Sequence, residues 1–307
     1  MRKTVTESPH ARSIGLDLEQ PEAVLALLLD GQAEATASVR SAVGAIASAS
    51  TIVARTISNG GTLAYAAAGS SGLMALSDAL ELPGTFGIDR GQISILFAGG
   101  PPWLDNFRGG PEDDADLGAR DVDAAGLGDG DCVIAVSASG STPYAVGALT
   151  RAGERGATTI GIANNADTPL LAKAGTPILL ATPPELIAGS TRMGAGTAQK
   201  IALNLISTLT AIKLGHVVDG HMVNLSVENA KLRTRALNMI SDLSGCGDEA
   251  ASRCLDRADG SVKIAILLAC GAGDADAAKR LLDTHNGNVR SAMTALDQGQ
   301  GPERQRA

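Results

Sequence analysis

The chain has 307 residues, 44% of them hydrophobic but only 2% aromatic, and a formal net charge of -8. This length accommodates one large and one small domain, or two medium ones, around an aliphatic core in which alanine and glycine allow close packing. The acidic balance, with no long block of Lys or Arg, excludes a general nucleic-acid binder, because a phosphate backbone requires a basic surface. Cys132, Cys246, Cys254 and Cys270 are too widely spaced for a C-x-x-C metal site and too few for a disulfide scaffold. They read as free thiols. The opening MRKTVTESPHARS lacks the apolar stretch of a signal peptide, and no uninterrupted apolar run reaches the ~20 residues that cross a bilayer. The expectation is a cytoplasmic protein without membrane contact, whose partners are small molecules or a second copy of itself.

In chain order, Val24, Leu25, Leu28, Val39, Val43, Ile46 and Ile52 recur at helical spacing over residues 21–58, which predicts two helices ending at Asn59-Gly60-Gly61. Five short apolar runs follow: TLAYAAAG at 62–69, ISILFAGG at 93–100, CVIAVSASG at 132–140, TTIGIANN at 158–165 and TPILLAT at 176–182. The gaps between them are long enough for crossover helices. This pattern predicts an α/β fold with a doubly wound, mostly parallel five-stranded sheet, whose ligands sit at the carboxyl ends of the strands. From Ala195 to about Ile240 the sequence turns helical. Past Gly245-Cys246-Gly247, short helices predict a small helical domain with a frayed tail, giving domains at 1–245 and 246–307.

Three loops could carry chemistry. Gly69-Ser70-Ser71-Gly72 follows the first strand, with Asp78 and Glu81 on the helix beyond; Ser137-Ala138-Ser139-Gly140-Ser141-Thr142-Pro143 follows the third. In PELIAGSTRMGAGTAQK, at 184–200, a Pro- and Gly-marked loop opens into a helix near Ala195, with Arg192 and Lys200 close by. Free N–H groups and hydroxyls at such helix starts suit a small anion. Together they predict a polar pocket with contacts from Gly69, Ser70, Ser71, Ser139, Gly140, Ser141, Thr142, Glu185, Ser190, Thr191 and Lys200. His216 and His221 form no i, i+4 pair and no H-E-x-x-H motif, so no metal site is expected.

The ordered set AGSSGLMALSDALELPGTFG, AGG followed by PEDD, SASGSTPY, PELIAGSTRMGAGTAQK and ENAKLRTRAL, together with Thr6-Glu7 and the tail GNVRSAM, resembles the N-acetylmuramic acid 6-phosphate etherases. More distantly it is similar to the glucokinase regulatory protein. The resemblance runs from about Thr6 to Val289 and implies a sugar-isomerase-type (SIS) domain, a homodimer whose pocket is completed near the subunit contact, and two catalytic glutamates, matched here by Glu81 and Glu112. The implied reaction is carbon–oxygen lysis without metal or organic cofactor. Ring opening exposes an aldehyde that acidifies the proton on carbon 2; one glutamate removes it, an acid helps the ether oxygen leave carbon 3, and water adds.

Five positions depart from the family pattern: Leu73 and Ser141 stand for arginines, Gly194 for lysine, Leu80 for serine and Gly109 for glutamate. The first three remove cations from expected pocket loops. They open two alternatives to the etherase reading: a divergent lyase acting on a less anionic sugar-like substrate, or a non-catalytic sensor of sugar phosphates that regulates a partner. An aldose–ketose isomerase would share the first proton abstraction.

Overall fold

Strands rich in Ile, Val, Leu and Ala form one all-parallel sheet in the order β2-β1-β3-β4-β5. They are β1 (Leu63–Ala67), β2 (Ile93–Phe97), β3 (Cys132–Ser137), β4 (Thr158–Ala163) and β5 (Thr176–Leu179). The computed structural model describes residues 4–101, 110–225, 227 and 229–299. Gly109, and Glu228 at the start of the ENAKLRTRAL match, lie outside them. Every residue of β1 and β3 is buried, as expected of a sheet covered on both faces.

The chain divides into two compact units: Met1–Leu80 with Arg90–Leu209, and Glu81–Asp89 with Thr210–Ala307. In the first, α1 (Pro21–Ser38) and α2 (Val43–Ser58) are joined by a 3-10 turn at Val39–Ala42. Ile46, Ala49, Val53 and Ile57 make the buried stripe of α2, whereas α1 buries only Ala35 and leaves Leu25 and Leu29 65% and 70% exposed. Helix α3 (Gly69–Phe86) begins two residues after β1, so the first Gly/Ser loop is itself the first helical turn.

One face of the sheet is covered by α4 (Ala115–Ala124) and α5 (Pro143–Glu154), packing Val122, Ala145, Ala148 and Leu149 onto Val133 and Ala135. The two helices touch at backbone distance. A Cβ on Gly118 would collide with the carbonyl of Tyr144, and one on Gly147 with the carbonyl of Ala115. The Tyr144 hydroxyl also donates to Asp121 at 2.6 Å. Helix α6 (Pro169–Lys173) links β4 to β5, and α7 (Gly194–Lys213) follows the signature loop.

The second unit holds a two-stranded hairpin, β6 (Val217–Val218) and β7 (His221–Met222), and helices α8 (Ala230–Ser244), α9 (Asp248–Arg257), α10 (Val262–Ala269), α11 (Ala275–Thr284) and α12 (Val289–Asp297). The hairpin interrupts the continuous helical stretch expected up to Ile240. Side chains of Asn229, Ser261, Asp274 and Asn288 accept N–H bonds at the starts of α8, α10, α11 and α12, which is why such short helices hold. The sequence boundary at 245 does not coincide with this division. Ala236, Met239 and Ile240 of α8 share a core with Leu255, Ile266 and Leu281, and Gly245 is the left-handed cap of α8 rather than a linker. Within that unit Lys263 is buried and donates to the Gly287 carbonyl at 2.9 Å, and burial lowers its amine to about 8.

Candidate active site

The strand order reverses between β1 and β3, and an open α/β sheet binds ligands at the carboxyl ends of the strands flanking such a reversal. A cleft of about 460 Å³ lies there. Gly69, Ser70 and Ser71 supply one wall from the first turn of α3, and Ser139, Ser141, Thr142 and Pro143 supply another from the start of α5. Thr191 of the signature loop, Glu112 and Asp113 from a 3-10 turn at Gly110–Asp113, and Glu7 complete the polar lining.

The loop after β3 is organised before any ligand arrives. Ser137 Oγ lies 2.7 Å from Thr142 Oγ1 and 3.2 Å from Ser139 Oγ, and it accepts the Gly140 N–H at 3.0 Å; Ser141 donates to Ser139 Oγ at 3.2 Å. Gly140 has φ of 70° and sits against Thr168, a conformation and a closeness that favour glycine. No side chain caps α5, whose first N–H groups therefore remain available beside the hydroxyls. Two helix starts converging on hydroxyl groups suit a phosphate. The described cleft lining contains three carboxylates and no Lys or Arg.

Partial burial, and then the neighbouring charge of Asp113, raise the Glu112 carboxyl above its ordinary pKa. Asp114, next in sequence, takes no part in the cleft lining: it caps α4 by accepting Leu117 N–H at 2.8 Å and pairs with Arg120 at 3.2 Å.

Other expected site residues are placed elsewhere. Glu185 is buried and accepts Gly194 N–H at 3.0 Å and Ala195 N–H at 2.8 Å, so an internal carboxylate already occupies the start of α7 that the sequence offered to an anion. Glu185 and Gly194 line a separate recess of about 10 Å³ against Gly31 and Ala35 of α1, too small for more than a single water. Gly140, Ser190 and the exposed Lys200 are not among the residues lining the cleft. Glu81 is exposed, twelve residues beyond Gly69 along α3, and also outside that lining. Of the three family cations replaced here, only Ser141 stands in the cleft lining. Leu73 is 38% exposed on α3, outside that lining, and a side chain at Gly194 would start 3.0 Å from the Ala35 methyl and 3.1 Å from Glu185 Oε2.

Sequence reasoning missed the network around Asp78. Its buried carboxylate accepts Tyr65 OH at 2.8 Å, Asn204 Nδ2 at 2.7 Å and Ser207 Oγ at 2.9 Å, which fixes the rotational setting of α3 against β1 and α7. Burial, followed by the charge of Asp78, holds the Tyr65 hydroxyl protonated well above its ordinary range. An acidic residue between two and three turns into the helix that follows an apolar strand was the available signal.

The SIS domain family matches residues 29–164. An N-acetylmuramic acid 6-phosphate etherase from Streptomyces avermitilis is 40% identical over 95% of this chain and 99% of its own. Etherases of the same description from Streptomyces coelicolor and Deinococcus radiodurans are 42% and 41% identical, over 90% and 94% of this chain and 89% and 94% of theirs. Among solved structures, a phosphoheptose isomerase from Francisella tularensis aligns with a TM-score of 0.49 at 19% identity, covering 64% of this chain and 98% of its own. Identity at this level along nearly the whole length places the chain in the family of the N-acetylmuramic acid 6-phosphate etherases, carbon–oxygen lyases.

Proposed function

We propose that this enzyme cleaves the ether between carbon 3 of N-acetylmuramic acid 6-phosphate and its D-lactyl group. The observation that carries the reading is Glu112: a carboxyl of raised proton affinity set beside two helix starts and a hydroxyl-rich loop fit for a sugar phosphate. In the open-chain aldehyde the carbon 2 proton is acidic. By the match to the family motif, one catalytic glutamate removes that proton while an acid protonates the departing ether oxygen; the raised carboxyl of Glu112 suits the acid. Lactate leaves with the electron pair of the broken carbon–oxygen bond. Water then adds to carbon 3 of the unsaturated aldehyde and a proton returns to carbon 2, leaving N-acetylglucosamine 6-phosphate. The retained phosphate cradle supports an unchanged substrate, since two of the three lost cations belong to positions outside the cleft lining.

The reading includes a cytoplasmic homodimer. Leu25 of α1 and Ile187, 65% and 50% exposed, border an apolar groove of about 610 Å³, and Leu18 and Leu29 are 83% and 70% exposed as well, a surface suited to a symmetric contact. Light scattering of the native protein and of a Leu25→Asp, Leu29→Asp variant tests the dimer, and a native monomer refutes it.

The activity is tested by incubating the purified protein with N-acetylmuramic acid 6-phosphate and with analogues lacking the phosphate or the lactyl carboxylate. Release of lactate, with solvent oxygen entering the sugar at carbon 3, is expected from the complete substrate. Absence of lactate and of any unsaturated product across the panel sinks the etherase reading.

A further inference from the structure

We propose that Glu7 is a substrate-binding carboxylate, brought to the cleft by an N-terminal strap and accepting a hydrogen bond from a neutral donor on the sugar. The proposal takes its substrate from the etherase reading.

Chain ends fray unless something ties them down. Thr6 is tied on three sides. It is 1% exposed, its N–H donates to Asn165 Oδ1 at 3.3 Å, its hydroxyl accepts Asn165 Nδ2 at 2.9 Å, and its carbonyl accepts Gly189 N–H at 3.1 Å. Asn165 follows the carboxyl end of β4 and also donates to the Ala138 carbonyl at 3.0 Å. One amide side chain thus locks the strap to the loop after β3, while Gly189 locks it to the signature loop.

The next residue, Glu7, is thereby placed in the cleft lining, its Oε2 only 3.2 Å from where a Cβ on Gly189 would stand. Among the described residues its carboxylate has no hydrogen-bond or ion-pair partner, and the described lining holds no cation to pair with it. An ionised carboxylate only accepts hydrogen bonds. Facing a substrate that carries its own phosphate and carboxylate, it repels both and pairs with what is left: a ring hydroxyl or the acetamido N–H. This contact selects the sugar body, whereas the helix starts select the anion.

The experiment measures calorimetric binding of N-acetylglucosamine 6-phosphate, of 2-deoxyglucose 6-phosphate and of inorganic phosphate to the full-length wild type, Glu7→Ala, Glu7→Gln and Thr6→Val, with lactate release assayed beside them. Glu7→Ala is expected to weaken N-acetylglucosamine 6-phosphate by about 10- to 100-fold, as loss of a charged hydrogen bond does, and to leave inorganic phosphate binding as tightly or more tightly, because a repelling charge is gone, with unchanged Tm. Glu7→Gln, which keeps an acceptor, falls between. Thr6→Val, which leaves the carboxylate but frees the strap, shifts binding in the same direction. If the 2-deoxy sugar no longer senses Glu7→Ala, the donor is the acetamido N–H; if it still does, the donor is a hydroxyl. Equal affinities in wild type and Glu7→Ala overturn the proposal, as does a parallel loss for inorganic phosphate. A wild type that releases no lactate yet loses sugar binding on Glu7→Ala removes the etherase reading and leaves the Glu7 contact standing.

Discussion

Glu185 holds Gly194: its Oε2 accepts the Gly194 N–H at 3.0 Å while its other oxygen takes the N–H of Ala195 at 2.8 Å. A buried carboxylate seated on two otherwise orphaned amides is a helix cap, and it answers the positive end of α7 from within the protein. Glu185→Ala is expected to cost about 2–3 kcal/mol by leaving both donors buried and unpaired. Urea unfolding reads this as a lower midpoint at constant m. An unchanged midpoint would mean that solvent satisfies these amides.

The same contact separates the effects of two substitutions that restore family cations. Ser141→Arg places a guanidinium in the cleft lining and should lower KM for the doubly anionic substrate by roughly tenfold, the effect of one charge-assisted hydrogen bond. The side chain of Gly194→Lys would start against Ala35 and Glu185, outside the cleft lining, so KM should stay within about twofold, since no new charge meets substrate. Steady-state kinetics on both variants decides. Equal gains from the two would show that the recess is continuous with the binding cleft.

A Glu112 that acts as acid must be protonated, so its activity is present below its raised pKa and is lost as pH climbs through it. Asp113→Asn removes a like charge that helps to raise that pKa, and the alkaline limb of kcat/KM should therefore move to lower pH. Glu112→Gln should abolish the limb and reduce kcat by about 10²–10⁴. If Asp113→Asn instead moves the acidic limb, Glu112 is the base and the two glutamates exchange roles.

Around Asp78, Tyr65→Phe removes one donor and should cost about 1.5–3 kcal/mol, the range for a hydrogen bond to a charged group. Asp78→Ala strands three donors and should cost more, about 3–5 kcal/mol. Chemical denaturation of both variants checks the order. The reverse order would mean that the buried charge is poorly compensated.

Local pattern made much of this fold legible. The apolar runs became β1 to β5, and the Ser/Gly loops fell where parallel strands end, because strand periodicity and turn chemistry act over a few residues. The hairpin at Val217–Met222 carried a readable sign as well, the Asp219-Gly220 turn with both residues at positive φ, but the helical runs on either side masked it. Hidden features were those that depend on distant partners. Thr6 meets Asn165 across 159 positions, and the Glu185 cap requires knowing that its loop folds back onto α7. The expected domain boundary was drawn after Gly245, because a left-handed helix cap and a domain junction call for the same residue.

The glycine seam between α4 and α5 binds two walls of the cleft into one body. Gly118 rests on the second residue of α5 and Gly147 on the first of α4, so the turn bearing Glu112 and the hydroxyl loop before Pro143 cannot drift apart independently. An alanine at either glycine would wedge the helices open at their starts. It would register first as a Glu112 carboxyl out of step with the hydroxyl loop, and the change would be that of a single methyl group outside the cleft lining.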